Sequence, residues 1–268
     1  MAKLSISQAW EESRAILARD GKLISTVALA MFVLPGIVLN VIVTKMRAGD
    51  MPGPAMWIAT VAVVLLLLVS LTGQLSVIRL ALGPHVTVRD AIAHGARRLV
   101  AYLGAVCLWI APVLIAYSIL YNLLKSNPEH PSLLVAVLLL LVSLTALIIA
   151  VRLLLLSAVA SAEDENSFVV LRRTWELTRG NWWRLFGFMI IFGIAALALL
   201  WATDAVLGLL IRLAFGTVDA LSVGGLIVII ISQLISGALS VVLFVMLARL
   251  YAQRAGAGAQ VSVPSSGI

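Results

Sequence analysis

The sequence predicts an all-α integral membrane protein of six transmembrane helices, on three observations. First, 62% of its 268 residues are apolar and only 12% charged, with mean hydropathy +1.12. Soluble domains carry about half apolar and a quarter charged residues. Second, the charged residues leave six long gaps. Third, the basic residues are distributed unequally between the two sides those gaps define.

The gaps run in order along the chain. Lys22 and Lys45 enclose 22 uncharged residues, Asp50 and Arg79 enclose 28, and Arg98 and Lys125 enclose 26. Residues 131–151, 185–203 and 220–248 add runs of 21, 19 and 29. A hydrocarbon core of ~30 Å takes about 20 helical residues to cross. Backbone groups inside lipid must bond within their own segment, so each run is expected to be a helix. Their apolar content is continuous, without the alternation of a barrel strand. The expected spans are residues 23–44, 56–81, 99–123, 132–157, 185–203 and 222–250, in a single membrane domain over 1–254.

Six spans return both termini to one side. That side holds 15 of the 19 basic residues and a net charge of +7; the other holds Lys45, Arg47, Lys125 and Arg212 and is neutral. The positive-inside rule then places both termini in the cytoplasm. Residues 1–22 carry seven charged side chains before a long apolar run, so an uncleaved first span is expected rather than a signal peptide. Pro35-Gly36 should kink or locally open that span. The single cysteine, Cys107, allows no intrachain disulfide or thiolate cluster. Arginine outnumbers lysine 15 to 4, which suggests a GC-rich genome; with compact spans it suggests a bacterial inner membrane.

A charged, helically patterned segment precedes each odd-numbered span. In the first, Ala9, Trp10, Ser13, Ile16 and Leu17 share a face opposite Glu11, Glu12 and Arg14. In the second, Val88, Ala91, Ile92 and Gly95 oppose Arg89, Asp90, His94, Arg97 and Arg98. In the third, Phe168, Leu171 and Trp175 oppose Arg172, Arg173, Glu176 and Arg179. Ser5, Thr87 and Ser167 fit as their N-caps. Such segments suit amphipathic helices lying in the interface. The even spans end alike, in Arg79-Leu80, Arg152-Leu153 and Arg249-Leu250. Three parallel tandem repeats would produce this pattern, related by an axis along the membrane normal. Cytoplasmic orientation alone also accounts for the arginines.

The stretch Thr174 to Leu185 is the densest local signal. Gly180 suits a helix C′ position and Asn181 a cap for the next helix. Trp175, Trp182 and Trp183 have rings favoured at headgroup depth, and Arg172, Arg173, Arg179 and Arg184 stand beside them. The cluster reads either as a membrane-anchoring turn or as a site for anionic lipid headgroups. Arg79, Arg152 and Arg249 form a second candidate set: convergent on a threefold axis they would bind an anion, and separately they would snorkel to the interface.

The pattern Trp175-x-Leu177-Thr178-x-Gly180-x-x-Trp183, followed at once by a span, resembles the membrane domain associated with glycerophosphoryl diester phosphodiesterases and related multi-span bacterial proteins of unknown function. Gly73-Gln74-Leu75 through Arg79-Leu80 and Thr87-Val88-Arg89-Asp90-Ala91 resemble that group too. The resemblance implies a six-helix membrane module and no catalysis, because the family's hydrolase is a separate soluble barrel.

Residue chemistry points the same way. A metal-dependent phosphodiesterase needs converging carboxylates and histidines. The three histidines here are His85, His94 and His130, and the topology separates His130 from the others. Glu163-Asp164-Glu165 is read as an acidic turn before a helix N-terminus. No nucleophile elbow, P-loop or dinucleotide fingerprint occurs. No enzyme activity, cofactor or metal is expected, and the basic pI of 10.2 needs no nucleic acid. Asp204, Gly208 and Arg212 suggest a short outer interfacial helix. Ser232, Ser236 and Ser240, beside Gln233 and Gly237, suggest tight helix packing, with a polar path as the second reading. Residues 255–268 are expected to be a disordered tail. The expected role is a non-enzymatic module that binds or organises anionic lipids and partner membrane proteins; the alternative is a transporter or lipid translocase.

Overall fold

The computed structural model describes residues 4–49, 52–83, 86–125, 133–216 and 222–261, and these are helices joined by short turns, with no strand among them. α1 (Ile6–Ala28) passes through a π-turn (Leu29–Val33) into α2 (Leu34–Ala48). α3 (Gly53–Leu82), α4 (Val88–Lys125) and α5 (Leu133–Arg152) follow, then the short α6 (Leu156–Ala162) and α7 (Ser167–Thr178), and the long α8 (Trp182–Phe215) and α9 (Val223–Val261). Six of these helical stretches are long and apolar enough to cross a membrane.

The π-turn sits where Pro35 requires it. Proline lacks the N–H for the preceding turn, and its ring crowds the carbonyl four residues back. Widening Leu29–Val33 by one residue per turn absorbs the mismatch without breaking the helix. Gly73 of α3 packs against this turn so closely that an added Cβ would lie 2.6 Å from Met31 Cβ. Inside lipid there is little hydrophobic drive between helices, so such small-residue approaches carry much of the packing.

The first two lead segments differ from expectation. They are not separate interfacial helices: residues 6–28 and 88–98 run unbroken into their spans. Neither contains a glycine or proline that reverses the chain before lipid is reached. Only α7 stands apart, because Gly180 adopts φ +83°, a left-handed conformation that ends the helix and turns the chain into α8.

Burial nevertheless recurs among the three leads. Ala9 and Ser13, Ala91 and Gly95, and Val170 and Thr174 are each buried pairs spaced by four. Measured from the N-caps, these pairs occupy the same register after Ser5, Thr87 and Asn166. Ser5 Oγ accepts from Gln8 N–H at 3.3 Å, and Thr87 Oγ1 from Asp90 N–H at 3.2 Å. The third cap is Asn166, not Ser167. The buried face of α7 is correspondingly Val170, Thr174, Leu177 and Thr178, and Phe168 and Trp175 are exposed.

At the arginine-rich end, the last turns of α3 and α6 and residues 241–251 of α9 contribute much of one apolar core, with Leu75, Ile78, Val159 and Val245 all fully buried. α1 packs on α9, α4 on α3, and α7 on α4 and α6. Each lead segment therefore contacts the closing helix of the unit before it, and α1 meets the last.

Three further expectations change. The fourth span does not run straight: α5 stops at Arg152, and a turn over Leu153–Leu155 joins it to α6. α8 continues through residues 204–212 instead of giving way to an interfacial helix, because Leu207, Leu209, Leu210 and Ile211 sustain a helical run. Asp204 accepts a hydrogen bond from Ser232 Oγ of α9 at 2.5 Å, which fixes the two helices together. α9 itself continues past Arg254 to Val261, into the stretch expected to be disordered.

Candidate functional site at the arginine-rich end

The segments around residues 4–12, 94–98, 160–184 and 249–254 meet in one polar layer. Most of the arginines here are engaged with the protein's own backbone and carboxylates. Arg98, with a side chain only 13% exposed, donates from Nε to Ala160 O at 2.9 Å and from Nη2 to the carbonyls of Glu163 and Glu165; its Nη1 is 3.7 Å from Asp164 Oδ1. One turn earlier, His94 Nε2–H donates to Ser161 O at 2.8 Å. Together they cap the carbonyl end of α6, whose last C=O groups have no helical partner. His94, read from sequence as a solvated polar-face residue, is a capping residue instead.

Glu163 is the hub beside that cap. Its Oε1 accepts from Tyr251 Oη at 2.9 Å and from Arg173 Nε at 3.3 Å. Arg173 also lies 3.9 Å from Glu176, which accepts from Arg172 Nε at 3.0 Å. Across the layer, Arg184 Nη1 donates to Leu4 O at 2.6 Å and Arg254 Nη2 to Arg179 O at 3.0 Å. Ser5 and Gln253 exchange two hydrogen bonds, Ser5 N–H to Gln253 Oε1 and Gln253 Nε2–H to Ser5 O. The first and last helices are thereby clasped.

The sequence-selected cluster divides into two groups within this layer. Arg173 and Arg184 are engaged internally, and Trp182 stacks on Phe186 with ring centroids 4.8 Å apart. The outward group is Phe168, Arg172, Trp175, Arg179 and Trp183. Trp183 is 76% exposed and Phe168 68%. The Arg179 guanidinium is exposed and makes no hydrogen bond or ion pair among the described residues. Exposed rings beside an exposed guanidinium suit the zone where acyl chains meet phosphate.

The arginines closing the even spans are each met differently. Arg249 Nε donates to Glu12 Oε2 at 2.7 Å, and Arg152 lies 4.5 Å over the Trp175 ring. Arg79 is half-buried with no side-chain partner among the described residues. No contact unites the three. Arg79 stands four residues before the C-cap Gly83, whereas Arg152 stands well before the corresponding C-cap, Glu163. Position in the helix therefore separates two arginines that the Arg-Leu pattern equates.

Sequence reasoning missed Arg98, Tyr251 and the Leu153–Leu155 break. The spacing of His94 and Arg98 by four was a signal that both project from one helical face; what they would meet was not. No group of three metal-ligating side chains occurs among the described residues. His85 and His130 lie outside them.

No curated protein and no solved structure matches this chain. One family does: the chain belongs to the family described as "Domain of unknown function (DUF7847)", which matches residues 4–254.

Proposed function

We propose that this protein is a non-enzymatic module of a bacterial inner membrane, with both termini cytoplasmic, that binds anionic lipid headgroups and through them organises partner membrane proteins. The observation that carries this reading is the outward group on α7 and the start of α8. Trp183 is largely exposed next to the unengaged Arg179, with Arg172, Trp175 and Phe168 on the same end of the molecule. A headgroup phosphate would neutralise Arg179, and the rings would lie among the upper acyl carbons. The resemblance of residues 175–183 to the membrane domain accompanying phosphodiesterases fits a module that serves other proteins.

Native mass spectrometry tests this on protein extracted into nanodiscs of mixed phosphatidylglycerol and phosphatidylcholine. The wild type should retain phosphatidylglycerol selectively, and Arg172→Gln/Arg179→Gln/Trp183→Leu should lose that selectivity. Equal retention by both would remove the reading. A transporter or lipid translocase is the second reading, favoured by the interruption of the fourth span, since broken helices mark solute sites in transporters. Passage of a solute or lipid across proteoliposomes, abolished by a substitution at the break, would put that reading first.

A further inference from the structure

The break in the fourth span opens onto a cavity. Leu154 N–H bonds Val151 O, and Leu156 N–H bonds Leu153 O, so the carbonyls of Ala150 and Arg152 leave the regular helical ladder. Non-helical backbone at membrane depth is tolerated where it is buried in protein or lines a cavity. Here a cavity of about 320 Å³ adjoins Ala150 and Leu154, walled by α3, α4, α6 and α9. Three neutral polar side chains reach it, Gln74, Tyr102 and Ser157. Tyr102 faces Gln74. Ser157, 3% exposed, makes no side-chain hydrogen bond among the described residues.

A second, apolar groove of about 400 Å³ runs between α4 and α5, from Trp109 past Pro112 and Ala116 and along Leu138 and Val142, open on the side where Pro112 and Leu138 are exposed. Trp109 lines both spaces, and Ile149 of the second is followed by Ala150 of the first. The pair thus has a hydrogen-bonding head and an apolar arm. Neither contains a charged side chain; Arg152 is turned instead onto the Trp175 ring.

We propose that this pair of spaces binds a neutral lipid alcohol, its hydroxyl among Gln74, Tyr102, Ser157 and the freed backbone at Ala150, its hydrocarbon chain between α4 and α5. The lining excludes the other occupants. A phosphate would be stripped of water with no cation to meet it. A pure hydrocarbon would leave the Ser157 hydroxyl and the freed backbone at Ala150 without a partner. The site is distinct from the outward Trp/Arg group and selects an uncharged rather than an anionic headgroup, so either can fail alone.

The probe is dioleoylglycerol, offered to the full-length protein in nanodiscs against dioleoylphosphatidylglycerol and squalene. Native mass spectrometry should show one retained dioleoylglycerol that neither competitor displaces. Gln74→Leu/Tyr102→Phe/Ser157→Ala should weaken its retention by at least roughly tenfold, from the loss of several hydrogen bonds. Phosphatidylglycerol retention should not change. Unaltered dioleoylglycerol retention in the variant, or displacement by squalene, would overturn the proposal. Because the triple variant could misfold, a diazirine-bearing diacylglycerol is also cross-linked to the wild type. Adducts should fall within residues 102–116 and 138–157; adducts spread over all the lipid-facing spans would equally overturn it.

Discussion

Arg249, near the end of the last span, donates its Nε–H to Glu12 of the first helix at 2.7 Å, joining residues 237 apart in sequence. Both side chains are about one-quarter exposed. A charge held in such a setting is stabilised only while its partner is present. Glu12→Gln and Arg249→Gln should each destabilise the detergent-solubilised protein by about 2 kcal/mol, and the double variant by less than their sum. A double-mutant cycle on reversible unfolding checks this. Full additivity would mean that the contact carries no energy.

Gly95 lets α4 approach α3 closely. A Cβ there would lie 2.7 Å from Thr72 O and 2.6 Å from Ser76 Oγ. The serine can rotate but the carbonyl is fixed in its helix. Gly95→Ala should therefore cost about 1–3 kcal/mol despite the better helix propensity of alanine. Gly187, with open space around its Cβ direction, is the control: alanine there should be neutral or stabilising in the same thermal-melt assay.

Arg98 satisfies the carbonyls of Ala160, Glu163 and Glu165 from one guanidinium. Lysine keeps the charge but loses the planar fork that reaches all three. Arg98→Lys should lose about 1–3 kcal/mol of stability. Hydrogen exchange should rise over residues 156–166 before it rises elsewhere. Uniform exchange along the chain would contradict a local capping role.

Asp204 accepts from Ser232 between α8 and α9. Asparagine retains an acceptor oxygen and leucine does not. Asp204→Asn should stay within about 0.5 kcal/mol of wild type, while Asp204→Leu should cost about 1–2 kcal/mol by orphaning the Ser232 hydroxyl. Thermal unfolding of the two variants distinguishes this from a lone outer-surface charge.

What could be read from sequence was set by span-length statistics. Uncharged runs and arginine counts identify helices and sides because lipid penalises charge and open backbone strongly. Pro35 and Gly180 were legible because proline and glycine act on their own backbone. Partner choice was not legible: the i,i+4 spacing of His94 and Arg98 defines a face but not the α6 carbonyls opposite it. The face that α7 packs on the protein was not legible either: Val170, Thr174 and Leu177 are buried there, whereas Phe168 and Trp175, read as the lipid-facing side of the helix, are exposed. The break at Leu153–Leu155 had no signal, since four consecutive leucines carry no breaker, and tertiary packing interrupts the helix there.

The central claim is that the outward Trp/Arg group recognises anionic headgroups. Its most direct test is the melting temperature of the solubilised protein as phosphatidylglycerol or phosphatidylcholine is titrated in. A ligand that binds the folded state raises stability by about 2.7 kcal/mol at a hundred times its dissociation constant. Wild type should show a saturable rise with phosphatidylglycerol that exceeds the rise with phosphatidylcholine, and Arg172→Gln/Arg179→Gln should respond to both lipids alike. Equal responses to the two lipids in the wild type would contradict the claim and leave the cluster as a membrane anchor.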